Sequence, residues 1–132
     1  MKNFLNDPRH AIHLSLIAVL LWLAIVLALP GATFDSSIFS AFAKIASEPV
    51  WAFALQAGGM FGLLGLLTNR NWVRLLSIYV MATMHGTIAV CFLLGTPAGN
   101  GPVGTAPGTY AVIASLGYYL AYSQSRPRIT IR

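Results

Sequence analysis

The chain has 132 residues, 57% of them hydrophobic and only 8% charged, with eight Lys and Arg against three Asp and Glu and a mean hydropathy of +0.72. A soluble domain is about 25% charged, so this composition argues against a free cytosolic enzyme; a disordered linker would be far more polar. Lipid or a large oligomeric interface must cover most of the outside, and one domain, residues 1–132, is expected at this length.

The charges divide the chain. Between Arg9 and Asp35 lie 25 uncharged residues, between Glu48 and Arg70 there are 21, and between Arg74 and Arg126 there are 51. A helix that crosses a bilayer needs about 20 mostly apolar residues. The first two gaps therefore hold one span each, and the third holds two spans and a turn.

In chain order, the first span is predicted over 11–29 and is stopped by Pro30-Gly31, because Pro removes a donor and Gly tolerates cap conformations. Lys2 and Arg9 precede this run as in a signal peptide, but the run is too long for a typical h-region and Pro30 spoils the small-residue cleavage pattern. An uncleaved first span is expected. Residues 35–48 place Ile38, Phe39, Phe42 and Ile45 at helical spacing, with Asp35 or Ser36 as cap. They read as a short amphipathic helix, either lying in the membrane interface or packed on the end of the helix bundle.

The second span covers 50–67, entered through Glu48 and Pro49, both favoured in a first turn. The third covers 75–94. Residues 96–108, with four Gly and three Pro, read as an irregular loop entered at Thr96 and left at Gly108. The fourth span, 109–123, is the shortest; 15 residues reach only about 22 Å. The fold expected is all-α: four apolar transmembrane-type helices in a bundle, both termini on one side, plus the short amphipathic helix.

Orientation follows from the basic residues. Lys2, Arg9, Arg70, Arg74, Arg126, Arg128 and Arg132 fall on one side of such a bundle, and Lys44 falls opposite. The positive-inside rule places that side, with both termini, in the cytoplasm of an inner-membrane protein. Arg70, Arg74 and the Arg126, Arg128 and Arg132 tail then form a basic face toward anionic headgroups or an acidic partner. Basic residues at ends and turns do not make a nucleic-acid groove, and the aromatic residues lie inside apolar runs rather than between basic ones.

Small residues recur at four-residue spacing: Ala54, Gly58 and Gly62, then Ala82 and Gly86, then Gly117 and Ala121. Such faces let helix backbones approach closely inside a membrane, within one chain or between chains. Their number favours a homo-oligomer.

Candidate chemistry is sparse. Met81, Met84 and His85 share one helical face with Cys91 further along, a soft donor set that suits Cu(I). Met is equally at home in an apolar helix, and no acid or second His joins them, so packing is the expected role and no metal is assigned. His10 and His13 stand near the membrane edge and are not placed to pair with His85 as haem ligands. Gln56 and His85 are the main polar groups at membrane depth; His85 is a proton relay or gate, or more simply an interhelical hydrogen-bonding group. No carboxylate lies within a span to orient a base or form a pair, and the Gly-rich 96–108 segment lacks a phosphate-loop Lys. Lone Cys91 excludes an internal disulfide. A non-enzymatic role without cofactor is expected. Trp51, Trp72, Tyr118, Tyr119 and Tyr122 suit the interface, and Trp22 suits internal packing.

Two stretches carry a resemblance. Gly62 to Arg70, GLLGLLTNR, followed by an apolar helix, resembles the turn between the second and third spans of DoxX-like four-span proteins over about a quarter of the chain. That likeness implies a redox-associated subunit, although the acidic residues such proteins carry near the first span are missing here. Val103 to Leu120, VGTAPGTYAVIASLGYYL, after a Gly/Pro loop, is similar to small four-span proteins of short-tailed bacteriophages. That likeness implies a holin, or a virion component such as a capsid cement with a capsid protein partner. The leading expectation is a polytopic membrane protein that works by homo-oligomeric assembly, with lipid and sister subunits as partners.

Overall fold

A computed structural model of the chain describes residues 8–29, 33–35, 37–68, 70–95 and 105–125. Five α-helices account for most of them: α1 Pro8–Ala28, α2 Ser40–Ile45, α3 Glu48–Leu67, α4 Asn71–Gly95 and α5 Thr105–Ser125. Two 3₁₀ turns, Thr33–Asp35 and Ser37–Phe39, lead into α2.

Helix α1 opens on Pro8, whose fixed φ and missing N–H suit a first helical position. It therefore starts three residues before the expected boundary. Its buried stripe is His13, Leu16, Ile17, Leu20, Ala24 and Leu27, steps of three and four along one face. The expected stop at Pro30-Gly31 lies outside the described residues; the helix itself ends at Ala28. In α3, Ser47 stands at the N-cap, Glu48 opens the helix and Pro49 takes the first turn. Helix α4 runs for 25 residues, longer at both ends than expected, so Arg74 belongs to its first turn rather than to the α3–α4 connection.

Helix α5 corrects the fourth predicted element. It begins at Thr105 and runs for 21 residues, about 31 Å. Pro107 and Gly108 were assigned to the loop, yet they form its first turn. Proline is tolerated there because first-turn N–H groups have no intrahelical acceptor.

Residues 35–48 also differ from expectation. The helical part is only six residues long, its N-cap is Phe39 rather than Asp35 or Ser36, and no side chain caps it. Phe42 is 1% exposed, so the segment folds inward onto the helix ends. There Phe42 meets Phe92 of α4 and Trp51 of α3 with ring centroids 5.0 and 5.2 Å apart, and Phe39 meets Phe92 at 5.4 Å. Trp51 Nε1 donates to the Phe42 carbonyl at 3.1 Å. Trp51, expected at the interface, is thus half-buried in this aromatic plug.

The long helices pack as antiparallel neighbours. On α3, Gly58 faces Leu20 of α1 and Met84 of α4, and Gly62 faces Ile17 and Met81. Gly65 faces Ser77. Residue numbers fall on one partner as they rise on the other, so α3 runs opposite to both α1 and α4. On α5, Gly117 faces Ala82 and Leu16. Helix α4 is thereby flanked by α3 and α5, while α1 leans chiefly on α3.

The outside is apolar. Trp22, Phe53, Leu64, Leu67, Leu94 and Tyr119 are among the large side chains left exposed, and Trp22, expected to pack internally, faces outward at 67% exposure. Helices α1, α3 and α4 are long and apolar enough to cross a membrane.

Candidate functional site

Among the described residues, three polar side chains are fully buried: His13, Ser77 and His85. They lie on α1 and α4 and define two places where chemistry is possible. Ser77 is satisfied, its Oγ donating to the Arg74 carbonyl at 2.8 Å. The two histidines each keep a ring nitrogen with no hydrogen-bond partner.

His85 lies at 0% exposure in the middle of α4. Its Nδ1–H donates to the Met81 carbonyl one turn back, at 2.8 Å. That bond fixes the neutral tautomer and leaves Nε2 as a buried, unpaired acceptor. Tyr110 of α5 stands over the ring, centroids 6.1 Å apart. The sulfurs of Met81 and Met84 fill the notches left by Gly62 and Gly58 on α3. Cys91 is buried. No group of three or more His, Cys, Asp or Glu gathers anywhere among the described residues.

His13 marks the second place, near the α3–α4 turn. It is 1% exposed and its Nε2 is unpaired. The Gly62 carbonyl approaches the ring, and Arg74 and His10 stand within electrostatic reach of it. Arg74 is half-buried, and its Nε–H also lacks a partner. On α5, Gln124 Oε1 is buried and unpaired too. The register set by Gly86 against Ala114 and Gly117 against Ala82 brings Gln124 to the level of the first turns of α4. Unpaired polar atoms of His13, Arg74 and Gln124 therefore lie toward the same end of the helices.

Placement of the remaining candidates is uneven. Gly58, Gly62, Ala82, Gly117 and Ala121 are buried between helices, whereas Ala54 and Gly86 are half-buried. Gln56 is exposed; it lines a surface groove of about 430 Å³ with Glu48, Ala52 and the end of α1, including Leu27. Gln56 lies within α3, on the side that faces away from the core stripe of Leu55, Gly58, Gly59 and Gly62. Arg70 is exposed beside Arg74. Arg126, Arg128 and Arg132 lie outside the described residues.

His13 was the residue that sequence reasoning undervalued, because its number placed it at a membrane edge. Its spacing from Leu16, Ile17 and Leu20 already put it on the core stripe. Gln124 had no such signal, since its burial depends on α5 meeting α4.

Compared with protein-family models, curated proteins and solved structures, the chain matches none.

Proposed function

We propose that the chain is a four-span integral membrane protein that works non-enzymatically, by homo-oligomeric assembly, with both termini on the cytoplasmic side. The observation that carries this reading is the apolar exterior of α1, α3 and α4, which exposes Trp22, Ile25, Phe53, Leu64, Leu67, Leu93 and Leu94 to whatever surrounds the molecule. Contiguous apolar surface on this scale is rare on soluble monomers.

Helix α5 is the span that needs argument. It is as long as α1 and has no charged residue, but four tyrosines and several hydroxyls dilute its hydropathy. Several of those hydroxyls are spent internally. Thr109, Ser115, Ser123 and Ser125 each donate to a carbonyl of α5 three or four residues back, at 2.8–2.9 Å. Thr83 Oγ1 donates to the Tyr79 carbonyl at 2.9 Å and accepts from Tyr118 Oη at 3.0 Å. Hydroxyls satisfied in this way lower the cost of placing the helix in lipid. With Arg9, Arg70 and Arg74 gathered at one end, the positive-inside rule turns that end to the cytoplasm.

Fractionation tests the reading. The protein should sediment with membranes, resist alkaline carbonate and leave only with detergent; chemical crosslinking in the membrane should give a ladder of multiples of the 14.2 kDa chain. Recovery in lipid-free virus particles would replace the reading with that of a capsid cement. Crosslinking that never exceeds the single chain would remove the oligomer.

A further inference from the structure

We infer that the outward face of α3 around Gln56 is the contact between two copies of this chain, with the Gln56 amides of the two copies hydrogen-bonded to each other. The inference rests on the four-span, homo-oligomeric reading above and adds which face associates and what holds it.

The small-residue faces are already used inside the chain. Gly58 and Gly62 are filled by Leu20 and Ile17 of α1 and by Met84 and Met81 of α4, and Gly117 is covered by Ala82. A sister subunit must therefore use another surface.

Gln56 marks one. It is the ninth of the 20 residues of α3, about 12 Å from the start of a helix about 30 Å long. On the four-span reading that is the middle of the hydrocarbon. The residue is exposed, and among the described residues its amide has no hydrogen-bond partner. Hydroxyls along the other long helices are satisfied by their own backbone: Ser15, Thr83, Thr87 and Ser115 each donate to the carbonyl four residues back. A glutamine is not satisfied that way. Its amide carries a carbonyl acceptor as well as two N–H donors, and backbone N–H groups in mid-helix are all engaged. The amide oxygen needs a donor from outside α3.

The groove beside Gln56 offers none. Glu48, whose own Oε1 is an unpaired acceptor, stands two turns away, and Leu27, Ala52 and Phe53 are apolar. Lipid tails offer none either.

A second Gln56 meets the need. Two copies inserted the same way round are related by an axis along the membrane normal, which places both residues at one depth. The amide is self-complementary: each copy donates to the other and accepts from it, as an isologous contact requires. The surrounding face suits helix association. Phe53, Gln56, Met60, Leu64 and Leu67 follow at steps of three and four, and all are exposed. Ala57, exposed beside Gln56, adds little bulk, so the two backbones can come close. One polar pair within an apolar seam also fixes register and oligomer state.

The test is the self-association of the full chain, labelled at its N-terminus, in phosphatidylglycerol–phosphatidylcholine vesicles, read by energy transfer as the chain is diluted in lipid. Gln56→Leu should weaken association about tenfold, the effect of losing an interhelical hydrogen-bonded pair. Gln56→Asn, which keeps an amide at this depth, should lose less. In a Cys91→Ala background, oxidation in native membranes should trap Met60→Cys as a dimer of twice the 14.2 kDa chain, and should not trap Val112→Cys on the exposed face of α5. The cysteine pair decides the matter should Gln56→Leu fail to fold. Unchanged association in Gln56→Leu would leave the amide to lipid or to water in the groove and overturn the inference. A dimer trapped through Val112→Cys alone would move the contact to α5 and overturn it too. A Met60→Cys product whose mass is not a multiple of the chain would overturn it by giving the face to a different protein. The first two outcomes leave a homo-oligomer standing, whereas a wild-type chain with no energy transfer at any dilution ends the oligomer reading itself.

Discussion

Gly117 of α5 sits directly on Ala82 of α4: a methyl group on Gly117 would stand 2.8 Å from the Ala82 Cβ and 3.4 Å from its Cα. Neither obstacle is the end of a flexible side chain, so the helices themselves must part. Gly117→Ala should therefore destabilise by about 1–3 kcal/mol, the usual cost of overpacking a filled interior. Gly86, a turn away on the same interface, has its nearest obstacle at 3.9 Å. Gly86→Ala should be close to neutral. Melting of both variants in the same detergent checks the contrast, and equal losses would mean that this contact does not set the α4–α5 distance.

The α3 glycines should behave differently. The groups that crowd Gly58 and Gly62 are led by the sulfurs of Met84 and Met81. A thioether on three rotatable bonds gives way more readily than a backbone. Gly62→Ala should cost less than Gly117→Ala, whereas Gly62→Leu exceeds what Met81 can yield and should break the α3–α4 contact. Pairing Gly62→Leu with Met81→Ala should restore part of the stability. Absence of rescue in the double variant would show that Ile17, on the α1 side of the same glycine at 2.8 Å, is the harder wall.

His85 gives up little when it is replaced. Its single hydrogen bond goes to a carbonyl inside the helix, and its Nε2 is buried without a partner. Replacing such a group with an apolar one of similar size is nearly neutral or stabilising. His85→Phe or His85→Leu should keep or slightly raise the melting temperature and leave assembly intact. Intact assembly with lost activity would instead assign the free Nε2 a role as a relay or gate.

Trp51 ties α3 to α2 through one hydrogen bond and one edge contact with Phe42. Trp51→Phe keeps the ring and loses the Nε1 donor, leaving the Phe42 carbonyl to the Ala46 N–H alone, at 3.1 Å. A loss of about 1 kcal/mol is expected. Trp51→Ala should cost more and loosen the segment 33–45, visible as faster proteolysis there.

Helix content and helix order were legible in the spacing of charges, because a membrane-length helix tolerates few of them. Boundaries were less so. Pro8, Pro49 and Pro107 all stand in first turns, where proline is harmless, and Pro107 reads from sequence as part of the loop rather than of the helix. The amphipathic pattern of Ile38, Phe39, Phe42 and Ile45 was visible, but its partner was not. A surface lipid layer and the rings of Phe92 and Trp51 ask for the same periodicity. The cluster around Arg74 was hidden for a related reason. Its members come from the start of α1, the start of α4 and the end of α5, and only the antiparallel register brings those stretches to one level.

Each long helix after the first packs against the long helix made just before it: α3 on α1, α4 on α3, α5 on α4. In a chain threaded into a membrane as it is synthesised, the order of emergence then equals the order of docking. Helix α5, the least apolar of the four, emerges last, when Ala82 and Gly86 already offer it a surface. On the four-span proposal, its stay in the bilayer is underwritten by α4 rather than by lipid, so a lesion in α4 should reach the ribosome-bound intermediate as a failure to retain α5.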